Sequence, residues 1–314
     1  KLNYIDLFAG AGGLSEGFIR AGFNPIAHVE MNKDACDTLK TRAAYHWLIE
    51  NGKKKIYTDY LKSENKTKEE FWKEVPENVI KSVINTEISK DTLPEIFQKI
   101  DSELGKKKID LIVGGPPCQA YSVAGRARKD MSNDPRNTLY KYYVEFLKKY
   151  QPKMFVFENV PGILSAKNGK HLDNIFKAVK DAGYDLAIPP KNHLNAKDFG
   201  VLQDRKRVII IGWKKELGLS YPDFKTKENN FEILKDLFAD LKPLQNGKGT
   251  LNAVNYAKPT TAYLEQAKIR NGLDFVTQHI TRPNNENDLE IYRIAVDEWN
   301  NGKRLNYAKL PSRL

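Results

Sequence analysis

The chain has 314 residues, 40% of them hydrophobic and 29% charged, which suits a globular protein of one large domain or two modest ones. No apolar run approaches the roughly 20 residues that cross a membrane, no signal peptide precedes the first strand pattern, and the two cysteines and five histidines exclude a disulfide framework and a structural zinc site, so no metal is expected and the setting reads as reducing and cytoplasmic. The formal charge of +11 favours a polyanionic partner such as nucleic acid, although Lys53–Lys55 and Lys106–Lys108 read as solvated surface.

Asn3–Phe8 is rich in β-formers and predicts the first strand. Gly10, Gly12 and Gly13 follow as a turn. Leu14, Phe18 and Ala21 then recur at helical spacing until Gly22. Asn24–Glu30 predicts a second strand, and a helix starts near Asp34. Cys36 falls inside that helical pattern, as a small buried hydrophobe would. Residues 50–108 are rich in Lys, Glu and Asn, and Phe71, Trp72, Val75 and Ile80 suggest surface helices there. With one strand near Val83–Glu87, this stretch reads as an elaborated crossover.

Regular alternation then resumes. Strands are predicted at Ile109–Val113, Met154–Glu158, Tyr184–Ile188 and Val208–Trp213, and helices at Thr138–Tyr150 and Leu172–Ala182. Strands alternating with helices predict an α/β fold with a doubly wound, mostly parallel sheet. After Trp213 the pattern loosens into an irregular C-terminal extension. Helices are predicted there at Asn229–Leu241 and Asp288–Trp299.

In such a sheet, ligands sit beyond the carboxyl ends of the strands. The first strand runs into Asp6-Leu7-Phe8-Ala9-Gly10-Ala11-Gly12-Gly13, where glycines admit a ligand close to the backbone. The second ends in Glu30, a carboxylate able to accept both hydroxyls of a ribose. This fits a nicotinamide dinucleotide and S-adenosylmethionine alike. Ser15 or Glu16 stands where a third glycine of G-x-G-x-x-G would fall, which tilts the choice away from a dinucleotide.

The fourth strand leads into Gly114-Gly115-Pro116-Pro117-Cys118-Gln119. Two prolines fix the backbone and hold the thiol at the strand's mouth. Phe157-Glu158-Asn159-Val160 places a carboxylate at the end of an otherwise apolar strand, where an isolated buried charge is costly. Gln203-Asp204-Arg205-Lys206-Arg207 precedes the last clear strand.

The ordered set DLFAGAGGLSEGF (6–18), Glu30, GGPPCQAYS (114–122), FENV (157–160) and QDRKR (203–207) resembles the cytosine-5 DNA methyltransferase family, from about Asn3 to Trp213. The resemblance implies a Rossmann-like fold that binds S-adenosylmethionine and releases S-adenosylhomocysteine. It implies cofactor contacts from Asp6, Phe8, Ala9, Gly10, Gly12, Gly13, Leu14, Glu30, Met31 and Pro116. Phe8 would stack near the adenine. The family's third motif usually carries an Asp for the adenine amino group; here the aligned stretch is Glu87-Ile88-Ser89, a departure, and Glu87 and Ile88 are the expected contacts.

The chemistry asks for the remaining residues. Carbon 5 of cytosine is a poor nucleophile. A thiolate added to carbon 6 makes the ring an enamine, and Cys118 would supply it. Glu158 would donate a proton or hydrogen bond at N3. Arg207, and with it Arg205, would neutralise charge at O2. The base must be flipped out of double-stranded DNA. In the loop Gln119–Asn137, the residues Gln119, Ser122, Arg126, Arg128, Lys129 and Arg136 would contact that DNA, largely through phosphates.

The expected organisation is a catalytic and cofactor-binding domain over 1–213, with an insertion at about 50–108. Residues 214–314 would begin the region leading to target recognition. The family's last two motifs are not found, so a truncated chain or the larger fragment of a split enzyme is expected, with a C-terminal fragment as a partner. A monomeric enzyme serving a restriction-modification system is the leading reading. The alternatives are a tRNA cytosine-5 methyltransferase on the same scaffold, a non-catalytic nucleic-acid-binding module, and, most distantly, an NAD-dependent enzyme.

Overall fold

Alternation along the first strand decides the layering of the protein. In the computed structural model, which describes residues 1–117, 138–227 and 230–313, β1 (Asn3–Leu7) sends Tyr4 to one face and Ile5 and Leu7 to the other, as the period of two requires. Tyr4 joins Leu111 and Val113 beneath Leu14 and Phe18. Ile5 and Leu7 join Ile112, Phe155, Ile96, Tyr143, Phe146 and Ile175 in the main core.

β1 lies parallel between β2 (Asn24–Glu30) and β4 (Leu111–Gly114). β3 (Val83–Asn85) extends the sheet beyond β2, and β5 (Met154–Asn159) extends it beyond β4, both parallel. β6 (Tyr184–Ala187), β7 (Leu194–Asn195) and β8 (Lys206–Lys214) complete it. β8 inserts between β5 and β6 and runs antiparallel to both, and the short β7 pairs with the start of β8. The sheet order is therefore β3-β2-β1-β4-β5-β8-β6. The sheet is mostly parallel, as the alternation predicted, and the reversed β8 is what the alternation did not show.

Most predicted elements form within a residue or two of their expected bounds. Helices run over Gly13–Arg20, Lys33–Glu50, Leu139–Tyr150 and Lys170–Asp181. The crossover between β2 and β4 carries helices at Lys54–Lys62, Lys68–Trp72, Glu77–Lys81 and Leu93–Leu104. Phe71 and Val75 are buried, as the apolar positions of surface helices should be, and Phe71 packs against Tyr57 with ring centroids 5.8 Å apart. One expectation needs correction there. The strand expected at Val83–Glu87 stops at Asn85, whose side chain is engaged at the end of β2.

Residues 1–57 and 66–230 form one compact unit, and residues 58–65 and 231–314 form a second. The second unit holds two small antiparallel pairs, Gly249–Thr250 with Ile280–His279 and Val254–Asn255 with Val276–Phe275. Its longest helix, Glu286–Asn300, covers the helix expected at Asp288–Trp299 and begins with a reciprocal cap between Asn285 and Asp288. Over its described residues, 230–241, the helix expected at Asn229–Leu241 does not form. Only a π turn at Ile233–Leu237 is present. Ile233, Leu234 and Phe238 are exposed, so no buried face offsets the cost of ordering a longer helix. Nearby, Asp240 is 2% exposed and its Oδ2 lies 3.7 Å from Arg270 Nη1, while the Arg270 guanidinium stacks on Tyr256.

No helix among the described residues is long and apolar enough to cross a membrane. No group of three or more His, Cys, Asp or Glu among them is placed to hold a metal.

The reversed strand also makes a sharp demand on packing. Gly212 of β8 sits opposite Phe155 of β5, and a Cβ on Gly212 would lie 2.0 Å from the Phe155 ring. Gly212→Ala is expected to destabilise the protein by roughly 1–3 kcal/mol, the usual range for overpacking, as a lower urea midpoint with unchanged slope. A midpoint equal to wild type would show that Phe155 is not held in place.

Candidate functional site

The functional residues gather where β1, β2, β3, β4 and β5 end and where the antiparallel β8 begins. At the end of β1 the backbone turns at Phe8 with φ 54°, an expensive conformation for a bulky residue and one found most often at ligand sites. Gly10 and Gly12 continue the turn with φ 53° and 82°. Gly12 also abuts the helix Lys33–Glu50: a Cβ there would lie 2.8 Å from Leu39 Cδ2. Gly13 starts its helix with open space around it. Ala9 is buried beside Cys36 and Leu39, and Leu14 packs on the Tyr4 face.

Glu30 ends β2 and ties this corner together. Its Oε2 accepts from the Gly10 N–H at 2.8 Å, and its Oε1 accepts from the Asn32 N–H at 2.8 Å. Asn85 at the end of β3 donates Nδ2 to the carbonyls of Glu30 and Met31, at 3.1 and 2.9 Å. Cys36 completes the corner by donating to the Glu30 carbonyl at 3.3 Å, and burial pushes its thiol up to about 11. It is the buried structural cysteine that its helical position predicted.

A cleft of about 540 Å3 opens beside these strand ends. Phe8, Glu30, Met31, Glu87 and Ile88 line it, as do Gly115 and Pro117. Ser89, from the same third-motif stretch, also lines it, as do Asn32, Thr86, Leu139 and Tyr142, which the sequence reading missed. The last two open the helix that follows the reactive loop, and only the fold brings that helix round. The cleft combines apolar walls, Phe8 and Ile88 among them, with the carboxylates of Glu30 and Glu87, a combination chemically able to take a nucleoside. Asp6, Ala9, Gly10, Gly12, Gly13, Leu14 and Pro116 are not among the residues that line it.

Behind the glycine turn lies a buried polar chain that sequence reasoning did not find. Ser15 is 1% exposed, and its hydroxyl is hydrogen-bonded to the Tyr4 hydroxyl and, at 2.9 Å, to His28 Nε2. Ser15 thus occupies the place of a third glycine with a polar link between helix and sheet. His28 Nδ1 is buried without a partner, and burial lowers the His28 pKa to about 4. Asp6, paired in register with His28, is 1% exposed. Burial, and then the Glu30 carboxylate, hold its carboxyl well above the ordinary range.

The reactive end is built on β4, β5 and β8. Glu158 lies near the end of β5, and Arg207 lies near the start of β8. Because the two strands run in opposite directions, their side chains meet: Arg207 Nε is 2.6 Å from Glu158 Oε1. Both are about a quarter exposed, at 25% and 29%. Arg207 Nη1 also donates to the Lys206 carbonyl at 2.8 Å. Gly115 follows β4 and touches Glu158, since a Cβ on Gly115 would lie 2.8 Å from Glu158 Oε2. Arg205 is exposed and is held by its backbone, its N–H donating to Asn195 Oδ1 at 3.0 Å. The structure therefore brings Arg207, not Arg205, onto Glu158. Cys118, Gln119, Ser122, Arg126, Arg128, Lys129 and Arg136 lie outside the described residues.

Comparison with known proteins identifies the family. The family model for C-5 cytosine-specific DNA methylase matches residues 2–67 and 65–312. The chain is similar to the type II methyltransferase M.Bpa9945I of Bacillus paralicheniformis, at 36% identity over 99% of this chain and 77% of that protein. It is also similar to the type II methyltransferase M1.HphI of Haemophilus parahaemolyticus, at 31% identity over 87% of this chain and 62% of that protein. In fold it resembles a crystallised prophage-encoded protein of E. coli described as a DNA modification methyltransferase. That match has a TM-score of 0.60 at 24% identity and covers 93% of this chain and 75% of the other.

The His28 environment gives a pH signature. A folded pKa near 4 against an ordinary value of 6.5 means that the unfolded chain binds the proton first as pH falls. Stability from this group is therefore full above pH 6.5 and declines towards pH 4. Asp6, raised in the folded state, acts in the opposite sense, so the comparison needs a variant. The difference in unfolding free energy between wild type and His28→Asn should shrink as pH falls from 6.5 to 4. A difference independent of pH would show that His28 is not buried as a neutral ring.

Proposed function

The chain belongs to the C-5 cytosine-specific DNA methylase family, and we propose that it transfers a methyl group to carbon 5 of a flipped-out cytosine in double-stranded DNA. The family is S-adenosylmethionine-dependent. The observation that carries the reading is the Glu158–Arg207 pair at 2.6 Å beside the Gly115–Pro116 loop, because that pair supplies both groups the cytosine ring needs during addition.

The cleft fits the cofactor. Glu30 would hold the ribose hydroxyls through the carboxylate lone pairs left free by Gly10 and Asn32. Phe8 and Ile88 would enclose the adenine, with Met31 and Glu87 at its edge. Asp6, Ala9, Gly10, Gly12, Gly13, Leu14 and Pro116 would shape the turn and loop around it. S-adenosylmethionine supplies the electrophilic methyl that carbon 5 takes up.

The residues of this chain do the rest. Cys118 adds as a thiolate to carbon 6. Glu158 holds a proton at N3, where addition builds negative charge. Arg207 keeps Glu158 in place and reaches towards the O2 oxygen, with Arg205 as a further cation at the same mouth. Loss of the C5 proton and expulsion of the Cys118 thiolate close the cycle. Gln119, Ser122, Arg126, Arg128, Lys129 and Arg136 would contact the DNA.

We assign catalysis and cofactor binding to residues 1–213, with 50–108 as an insertion, and the approach to target recognition to residues 214–314. A restriction-modification role fits the type II names of the relatives, and the enzyme is proposed to act as a cytoplasmic monomer.

Labelled methyl from S-adenosylmethionine is expected to appear on unmethylated genomic DNA and not on bulk tRNA. Cys118→Ala should abolish the label, and Glu158→Gln should slow it by about 10²- to 10⁴-fold. Label on tRNA alone, or label that survives Cys118→Ala, would overturn the proposal.

Glu30→Ala should weaken S-adenosylmethionine binding by about tenfold, the loss of roughly one good charge-assisted hydrogen bond, as read by calorimetry. Unchanged affinity would remove Glu30 from the cofactor site.

A further inference from the structure

We infer that Asn159 is a positioning residue, which sets the spacing between Glu158 and the Gly115–Pro116–Pro117 track that leads to Cys118. The inference rests on the role proposed above for Glu158. The parallel ladder between β4 and β5 ends at the pair Gly114–Phe157. Beyond that pair the two strand ends must be joined by something other than the ladder, and the Asn159 side chain does this. It is 4% exposed. Its Nδ2 donates to the Pro116 carbonyl at 3.2 Å, and its Oδ1 accepts from the Val160 N–H at 2.9 Å. One planar amide thus bridges the end of β5 to the loop after β4.

The contact it maintains is already close. Gly115 has no room for a Cβ, which would lie 2.8 Å from both the Glu158 carbonyl and Glu158 Oε2. A slip of the track therefore moves it directly against the Glu158 carboxylate. Pro116 has no N–H with which to make a compensating bond, so its buried carbonyl is the handle left to hold. The chemistry tolerates little slack here, since a displacement of about 1 Å in a reacting group can cost on the order of 10²-fold in rate. Asn159 is absent from the cofactor cleft, so the effect of losing it should fall on turnover and not on cofactor affinity.

The test separates positioning from mere structural support. Asn159→Asp keeps the shape and the acceptor for the Val160 N–H, and it replaces the donor facing Pro116 with a second acceptor. Asn159→Ala removes both bonds. For the full chain, methyl transfer to DNA is measured for kcat and for KM towards DNA and S-adenosylmethionine, beside cofactor affinity by calorimetry and thermal unfolding. We expect Asn159→Asp to lower kcat by about 10- to 100-fold. Both KM values and the cofactor affinity should stay within about twofold, and Asn159→Ala should be no worse than Asn159→Asp although it loses more bonds. Wild-type kcat in Asn159→Asp would overturn the positioning role while leaving Glu158 in place. Loss of cofactor affinity in step with kcat would also overturn it and make Asn159 a support of the fold. A wild-type chain that methylates no DNA would overturn the proposed function and this inference together.

Discussion

A carboxylate and a guanidinium from strands of opposite direction define the reactive end of this protein. The Glu158–Arg207 pair at 2.6 Å exists because β8 is inserted against β5 in reverse. In a parallel arrangement the start of the strand would lie at the far edge of the sheet, and Arg207 would be about a strand length from Glu158. The two side chains are neither bare on the surface nor sealed in the core. An exposed pair would be worth little and would wander, and a fully buried one would be committed to its partner and closed to a substrate. A quarter exposed, the pair is held yet still reachable, which suits the role at a cytosine ring proposed for it.

The cofactor corner is arranged by a related economy of bonds. Glu30 uses its carboxylate to hold two backbone N–H groups, at Gly10 and Asn32, so its orientation is set before any ligand arrives. Asn85 and Cys36 hold the carbonyl side of the same residue. Pre-setting of this kind removes ordering cost from binding. Phe8 contributes in another way: its left-handed backbone turns an aromatic ring into the cleft where the regular continuation of β1 would have buried it, and the surrounding turn bears the strain.

Much of this was legible in the residues, and the rest failed for identifiable reasons. Strand ends announced themselves through Gly12, Glu30, Pro116 and Glu158, because special backbone shapes and charged residues at apolar strand ends are rare. The direction of β8 was not legible, since Val208–Trp213 has the same apolar character whichever way it runs. Phe71 was legible as an apolar position of a surface helix, but its partner Tyr57, on a different helix, was not. Asn229–Leu241 had helical spacing without a partner surface, and spacing alone does not order a helix. Leu139 and Tyr142 looked like ordinary helix positions, and only the return of that helix to the cleft gives them a further role.

The polar chain Tyr4–Ser15–His28 shows why a single-residue departure from a glycine motif can be informative. A glycine at Ser15 would let helix and sheet approach through bare backbone. Serine keeps them apart and joins them through hydroxyl and imidazole hydrogen bonds. Such bonds contribute little net stability, yet each becomes costly if its partner is displaced. The register of the helix against β1 and β2 is therefore narrowly specified. That helix begins at Gly13, directly after the turn that faces the cofactor cleft, so the buried chain fixes from behind the same turn that Glu30 holds from in front. The glycine turn is thus held by polar contacts on two sides, and its geometry depends on side chains whose own function is only to hold it.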